Sequence, residues 1–295
     1  MNTSIVTLKA FGDFLIAYQS VKHTFQANRN TSIHVIAGRH IQPLAEALEV
    51  PAAYVEFLGG GSCSDVPAAF DFKRQGKWAA INSLVGLRRS LAPFAKGSEL
   101  VFDRLGWRER FIAGDRRPVA LPMGVGNIYL AYEELLRSKR IDIVPSMQRF
   151  GSQLRSAVIV PGSRNPGKTM PAAVQAAIYA SLVERNISTT VLKLDGENVD
   201  APKDLPTKLL PRSFLSLFTA LRAADLVVSA DSLPAHLGEY FGLPTFVVSP
   251  TPNPYWLPKQ AFLTGATASF DALLPLADWL VGLSNVDLKT PAYPP

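Results

Sequence analysis

Cysteine is almost missing from this chain: Cys63 is the single one among 295 residues. A lone thiol excludes a disulfide framework and a cysteine-ligated zinc site, and it suits a reducing compartment. Histidine is also scarce, at four. No apolar run approaches the roughly 20 residues that span a bilayer. The opening segment, MNTSIVTLKAFGDF, lacks the basic-then-apolar layout of a signal peptide, so a cytoplasmic location is expected. Zinc-finger, RNA-binding aromatic and helix-turn-helix signatures are all missing, which argues against a nucleic-acid partner.

What is present is a chain that is 47% hydrophobic and 18% charged, enough for a sizeable core and for one large domain or two of ordinary size. Its net charge of +6 is unevenly placed. Residues 1–150 hold 19 basic against 13 acidic side chains, while residues 151–295 hold 11 of each. The basic half suits either a plain solvated surface or contact with an anionic partner, such as a phosphorylated acceptor or an acidic lipid surface.

The stretch at residues 225–258, DLVVSADSLPAHLGEYFGLPTFVVSPTPNPYWLP, organises the reading. Leu226, Val227 and Val228 form the apolar run of a buried strand. A polar turn follows, then a helix over residues 235–241 that Gly242 and Pro244 stop, then a strand over 245–248. This is a βαβ unit of a parallel sheet. Its turn lies at a strand carboxyl end and a helix amino end, where open α/β sheets bind ligands and helix dipoles attract phosphate. Asp231 and Ser232 serve there as caps or as ligand contacts. His236 is a ligand contact or a helix histidine, and Glu239 is expected to be solvated.

These residues resemble the donor-binding signature of the heptosyltransferase family, inverting glycosyltransferases of the GT-B fold. The resemblance is carried by Asp231-Ser232-Leu233-Pro234-Ala235-His236, by Gly242-Leu243-Pro244-Thr245 and by Ser249-Pro250-Thr251-Pro252. Ser232 keeps the hydroxyl of the family's threonine, whereas Leu233 stands where the family has glycine.

In the first half, residues 4–8 read as a strand, Lys9 to Asp13 as a turn and residues 14–25 as a helix. A Gly-Asp here is by itself a turn and cap. In the resembled family a Gly-Asp lies here with the aspartate as general base, which Gly12 and Asp13 match; a carboxylate within reach of an acceptor hydroxyl can take its proton. Residues 32–37 read as a strand that includes His34, 41–48 and 82–92 as helices, 100–102 as a strand and 127–139 as an amphipathic helix. The glycine run Gly59-Gly60-Gly61 lacks the spacing of a dinucleotide fingerprint. The cluster from Arg104 through Trp107, Arg108 and Arg110 to Arg116 and Arg117 suits phosphate or carboxylate recognition, and it is the candidate for acceptor or membrane-surface contact. The linker is placed within residues 141–155.

The second half opens with a strand at 157–160 and then Gly162-Ser163-Arg164-Asn165-Pro166-Gly167-Lys168-Thr169, which satisfies the Walker A pattern. A nucleotide triphosphatase is therefore a rival reading. Pro171 weakens it by removing an amide from the first helical turn, and no acidic Walker B strand accompanies it. The resemblance assigns Lys168 to the donor diphosphate, with Ser163 in the same turn and Met170 where tryptophan is usual. It also assigns Glu197 to the nucleoside ribose, and Ser213, in the turn from Lys208, to the neighbourhood of the base. A strand is expected at 191–194, and helices at 216–223 and 269–283.

The resemblance thus implies an α/β GT-B protein. A Rossmann-like acceptor domain at 1–150 and a donor domain at 151–268 would face each other across a cleft, and residues 269–295 would carry a last helix back to the first domain. It implies inverting transfer of a sugar, heptose from ADP-heptose, to a lipopolysaccharide-type or other anionic glycan or glycolipid acceptor. Asp13 would be the base; Gly12, Ser163, Lys168, Glu197, Ser213, Asp231, Ser232 and His236 would bind the donor; Arg104, Arg108 and Arg110 would bind the acceptor. Peripheral contact with the inner membrane is a further expectation. No Asp-x-Asp clamp occurs, so neither a catalytic metal nor a cofactor beyond the donor is expected. A P-loop hydrolase, a sugar-nucleotide epimerase or hydrolase of similar fold, and a non-catalytic binding homologue are the alternatives.

Overall fold

The computed structural model describes residues 2–27, 33–58, 68–70, 72–94, 98–116, 118–122, 124–143, 154–250, 254–258, 266–267 and 273–285. The Gly59–Gly61 run, Cys63, Arg117 and most of the expected linker lie outside these residues. The chain divides into two compact units, Met1–Pro145 and Ser146–Pro295.

The first unit alternates strand and helix: β1 (Asn2–Thr7), α1 (Phe11–Ala27), β2 (Ile33–Gly38), α2 (Gln42–Ala47), β3 (Val55–Leu58), α3 (Phe72–Gln75), α4 (Lys77–Leu91), β4 (Ser98–Phe102), α5 (Trp107–Ala113), β5 (Val119–Ala120) and α6 (Ile128–Ser138). Its five strands are all parallel, in the order β3-β2-β1-β4-β5. Both sheet faces are covered, which is why Ile5 and Val6 are both buried although they point to opposite faces. On one face Val6, Leu8 and Phe102 pack under Leu84, Leu87 and Leu91 of α4 and Ile112 of α5.

The second unit follows the same alternation: β6 (Ser156–Val160), α7 (Ala172–Val183), β7 (Ser188–Leu194), β8 (Thr207–Leu210), α8 (Phe214–Arg222), β9 (Leu226–Ala230), α9 (Leu233–Phe241), β10 (Thr245–Val248), β11 (Ala266–Thr267) and α10 (Leu273–Asn285). Its six parallel strands run in the order β11-β10-β9-β6-β7-β8. Counted from β6, this is the doubly wound dinucleotide-fold order 3-2-1-4-5-6, and the first unit shows its first five strands. Asp225 ties the starts of two central strands together: its Oδ2 accepts from the Arg155 and Ser156 amides at 3.0 and 2.9 Å and from Ser156 Oγ at 2.9 Å.

Two expectations are corrected. Glu239 is not solvated but 6% exposed, because α9 is buried all round from Pro234 to Glu239. Residues 208–210, read as part of a turn, belong to β8, whose first three residues are exposed at the sheet edge. The described part of the last helix packs within the second unit: Leu276, Trp279 and Leu280 join the core of β6, β9 and α7, and Trp279 lies 5.3 Å from the Phe246 ring.

Candidate functional site

In a doubly wound sheet, ligands meet the strand carboxyl ends where the strand order reverses. In the first unit that point lies between β1 and β4. Lys9 follows β1 by two residues and Asp103 follows β4 directly. Lys9 Nζ lies 3.3 Å from Asp103 Oδ1 and 2.9 Å from Glu109 Oε1, and 5.2 Å from the Phe70 ring centre. Glu109 also closes the start of α5, accepting from the Gly106 amide at 2.9 Å. A Cβ at position 106 would stand 2.7 Å from that oxygen, so a side chain there would displace the Glu109 carboxylate from this cap. These bonds, with the Lys9 charge, hold the Glu109 carboxyl below its ordinary range despite its burial.

Asp13 occupies the first turn of α1 and accepts from the Ala10 amide, an arrangement parallel to that of Glu109. Gly12, beside it, is helical rather than part of a turn. Asp13, Lys9, Asp103, Glu109 and Phe70 line one small cavity with Thr7, whose buried hydroxyl has no hydrogen-bond partner. Burial first, then the Asp103 carboxylate, pushes Asp13 up to about 6, against the opposing pull of Lys9 and Arg104. A carboxyl so placed can take a proton near neutral pH.

In the second unit the reversal lies between β6 and β9. Asp231 and Ser232 leave β9 and start α9. Lys168, from the loop after β6, pairs with Asp231 Oδ2 at 2.5 Å. Ser232 is the N-cap residue of α9, but its hydroxyl makes no cap bond; it donates instead to the Gly162 carbonyl at 3.0 Å. The reading of Asp231 and Ser232 as plain caps is thus set aside. His236, one turn into α9, is 8% exposed. Burial, aided by the Lys168 charge and opposed by Asp231, drives it down to about 4, so it is neutral at pH 7. Glu197, after β7, accepts from the Leu194 amide at 3.1 Å, and a Cβ at Gly162 would come within 2.6 Å of its carboxylate. Gly162 therefore meets both Glu197 and Ser232, and Lys168 joins them through Asp231, the neighbour of Ser232.

The Walker A match does not fold as a phosphate cradle. Residues Pro166–Lys168 make a single 3₁₀ turn, and α7 begins only at Ala172, after Pro171. The amides that a P-loop aims at phosphate are committed within the loop. Gly167 N donates to Asn165 Oδ1 at 3.1 Å. Lys168 N donates to Asn165 O, Thr169 N to Pro166 O and Met170 N to Pro161 O, at 2.9, 3.1 and 2.9 Å. Asn165 N reaches Ser163 Oγ at 3.3 Å, so Ser163 serves the loop itself. Met170 is buried in the core.

The remaining expected residues scatter. Ser213 lies exposed at the start of α8, beyond the edge strand β8. Arg104 is exposed near Asp13, Arg108 lies against the Trp107 ring at 5.4 Å, and Arg110 is exposed one turn into α5. The residues missed by sequence reading are Lys9, Asp103 and Glu109; their signal was position, in the turns that follow β1 and β4. Among the described residues no group of three or more His, Cys, Asp and Glu side chains is arranged to hold a metal.

No protein-family model matches the chain, and no curated sequence matches it. Solved structures do. Escherichia coli heptosyltransferase WaaC with ADP superposes with a TM-score of 0.59 at 14% identity, over 95% of this chain and 98% of that one. A family 9 glycosyl transferase from Veillonella parvula gives 0.59 at 13%, over 96% and 92%. Escherichia coli ADP-heptose lipopolysaccharide heptosyltransferase II gives 0.51 at 12%, over 96% and 98%. The fold is that of the heptosyltransferase-like GT-B proteins.

Proposed function

We propose that this chain is an inverting glycosyltransferase that moves a sugar, heptose from ADP-heptose, to an anionic glycan or glycolipid acceptor. The observation that carries the reading is the placement of complementary chemistry at the two strand-order reversals. The first unit offers a carboxyl poised as a base, and the second offers a cation, a helix start without a side-chain cap and a neutral histidine. The likeness in fold to heptosyltransferases supports it as an analogy.

Asp13 would accept the proton of the attacking acceptor hydroxyl as the new glycosidic bond forms. Lys168 and the amino end of α9 would stabilise the charge that gathers on the departing diphosphate. Neutral His236 is placed to donate a hydrogen bond without adding a charge, and Glu197 to take a ribose hydroxyl. Arg104, Arg108 and Arg110 would meet the acceptor's anionic groups.

The test is release of nucleoside diphosphate from ADP-, GDP- and UDP-sugars, with and without acceptor extracts. ADP-sugar consumption that depends on acceptor is expected. Asp13→Asn should lower transfer by roughly 10²–10⁴-fold while donor still raises the melting temperature. Stabilisation by ATP-magnesium alone, or normal turnover by Asp13→Asn, would overturn the assignment.

A further inference from the structure

Two of the chain's four tryptophans are on the outside of the first unit. Trp78 is 79% exposed and Trp107 66%. Each stands in the first turn of its helix, α4 and α5 respectively. Both helices follow parallel strands and run back against them, so they lie parallel to each other with their amino ends at the same edge of the sheet. They also pack on the same face, through Leu84, Leu87 and Ile112. Trp78 and Trp107 therefore crown neighbouring helices at the edge that carries Asp13.

The apolar surface continues from both. Ile81 is exposed one turn after Trp78, and Phe111 is part-exposed one turn after Trp107. Arg88 joins the two helices, falling on the Trp78–Ile81 stripe of α4 by helical spacing and lying 5.3 Å from the Phe111 ring. Phe72, in α3, adds a further exposed ring. A water-facing group of two indoles, two phenyls and an isoleucine has no role in the unit's own core.

Cations surround it. Lys73, Lys77, Arg89, Arg104 and Arg110 are exposed on the same three helices or the turn before α5, and the whole positive excess of the chain lies in residues 1–150. Indole rings set among lysine and arginine match the boundary of an anionic bilayer, where the rings enter the headgroup region and the cations meet phosphate. A protein partner's hydrophobic seat would instead carry few cations at its centre. No helix among the described residues is long and apolar enough to cross a membrane, so attachment here would be peripheral.

We propose that the Trp78–Trp107 edge of the first unit is a docking face for an anionic phospholipid bilayer. This goes beyond the assigned reaction and does not depend on it. The site edge of the unit would be brought to the lipid surface, where a lipid-anchored acceptor is presented.

The experiment is flotation of the full chain with phosphatidylcholine vesicles, with and without phosphatidylglycerol, at low and high salt. Binding only to the anionic vesicles, weakened by salt, is expected. Trp78→Ser with Trp107→Ser should lower partition at least tenfold, and each of Lys77→Gln and Arg110→Gln by roughly fivefold. The intrinsic fluorescence of the wild type should shift to the blue on binding, and brominated lipid should quench it. In the double variant only part-buried Trp256 and 7%-exposed Trp279 remain, and both responses should vanish. Both altered side chains are on the surface, so an unchanged melting temperature checks the fold. Failure to bind anionic vesicles, or equal partition of wild type and double variant, overturns the proposal, and a donor-consumption assay on the same preparation shows separately whether the transferase reading stands.

Discussion

Asp13 is the residue at which packing and chemistry meet: burial raises its proton affinity most, and three charged neighbours adjust it. Asp103 raises it, while Lys9 and Arg104 lower it. Lys9→Met should therefore raise it further and move the low-pH limb of the rate profile upward by roughly half to one unit, whereas Lys9→Arg should leave the limb in place and Asp103→Asn should move it down. Carboxyl-carbon NMR of Asp13 would read the same shifts without turnover. Lys9→Met also leaves the Asp103 and Glu109 carboxylates without their shared cation, at a cost of about 1–3 kcal/mol in stability. Of this cluster only Asp13 was legible in the sequence, through its Gly-Asp. Lys9 and Glu109 look like ordinary surface charges until the strand order places them together, and strand order is a property of distant pairings. Arg104 was seen only as one of a basic series; its nearness to Asp13 follows from the turn after β4.

At the level of elements, α9 and β10 show how closely the second site is built. Gly242 ends α9 with φ 71°, a left-handed conformation that suits glycine. Within the helix, a Cβ on Gly238 would stand 2.1 Å from Thr245 Oγ1. Thr245 is buried at the start of β10, so neither side can yield easily. Gly238→Ala should cost about 1–3 kcal/mol by overpacking, read as a lower denaturant midpoint with unchanged slope, and Thr245→Ser should recover part of it. The strand–helix–strand order of this region was readable from its apolar runs and its Gly and Pro stops. Two elements resisted. The edge strand β8 exposes Thr207, Lys208 and Leu209, so it carries no apolar alternation to read. The buried Glu239 was misjudged because a charge on a short helix gives no sign that the helix is enclosed on every face. The loop after β6 matched a nucleotide-binding pattern letter by letter, yet its amides donate to oxygens of the same loop, an outcome the letters alone do not distinguish from a phosphate cradle.

For the molecule as a whole, the two units carry buried titrating groups of opposite sense. Asp13 has its affinity raised from 3.8 to about 6. The first unit is therefore favoured by a protonated Asp13 at low pH and loses that advantage as pH rises from about 4 through 6. His236 has its affinity lowered from 6.5 to about 4. The second unit is undisturbed by it above pH 6.5 and loses stability as pH falls from there toward 4. Burial of His34 in the first unit acts in the same direction as His236, so difference measurements are needed. Calorimetry should show Asp13→Asn stabilising by up to about 3 kcal/mol at pH 8 and not at all below pH 4, and His236→Gln stabilising at pH 4 but not at pH 8. A stabilisation that grows in the same pH direction for both variants would contradict these environments.

The Lys168–Asp231 contact gives the proposed donor half-site a built-in rival. A carboxylate already answers the ammonium, so a lone phosphate arriving there must outcompete a tethered anion that is always at hand. A ligand with two phosphates and a nucleoside brings several simultaneous contacts and can win where a simple ion cannot. Such a pair would act as a filter, admitting extended anions and turning away the abundant small ones.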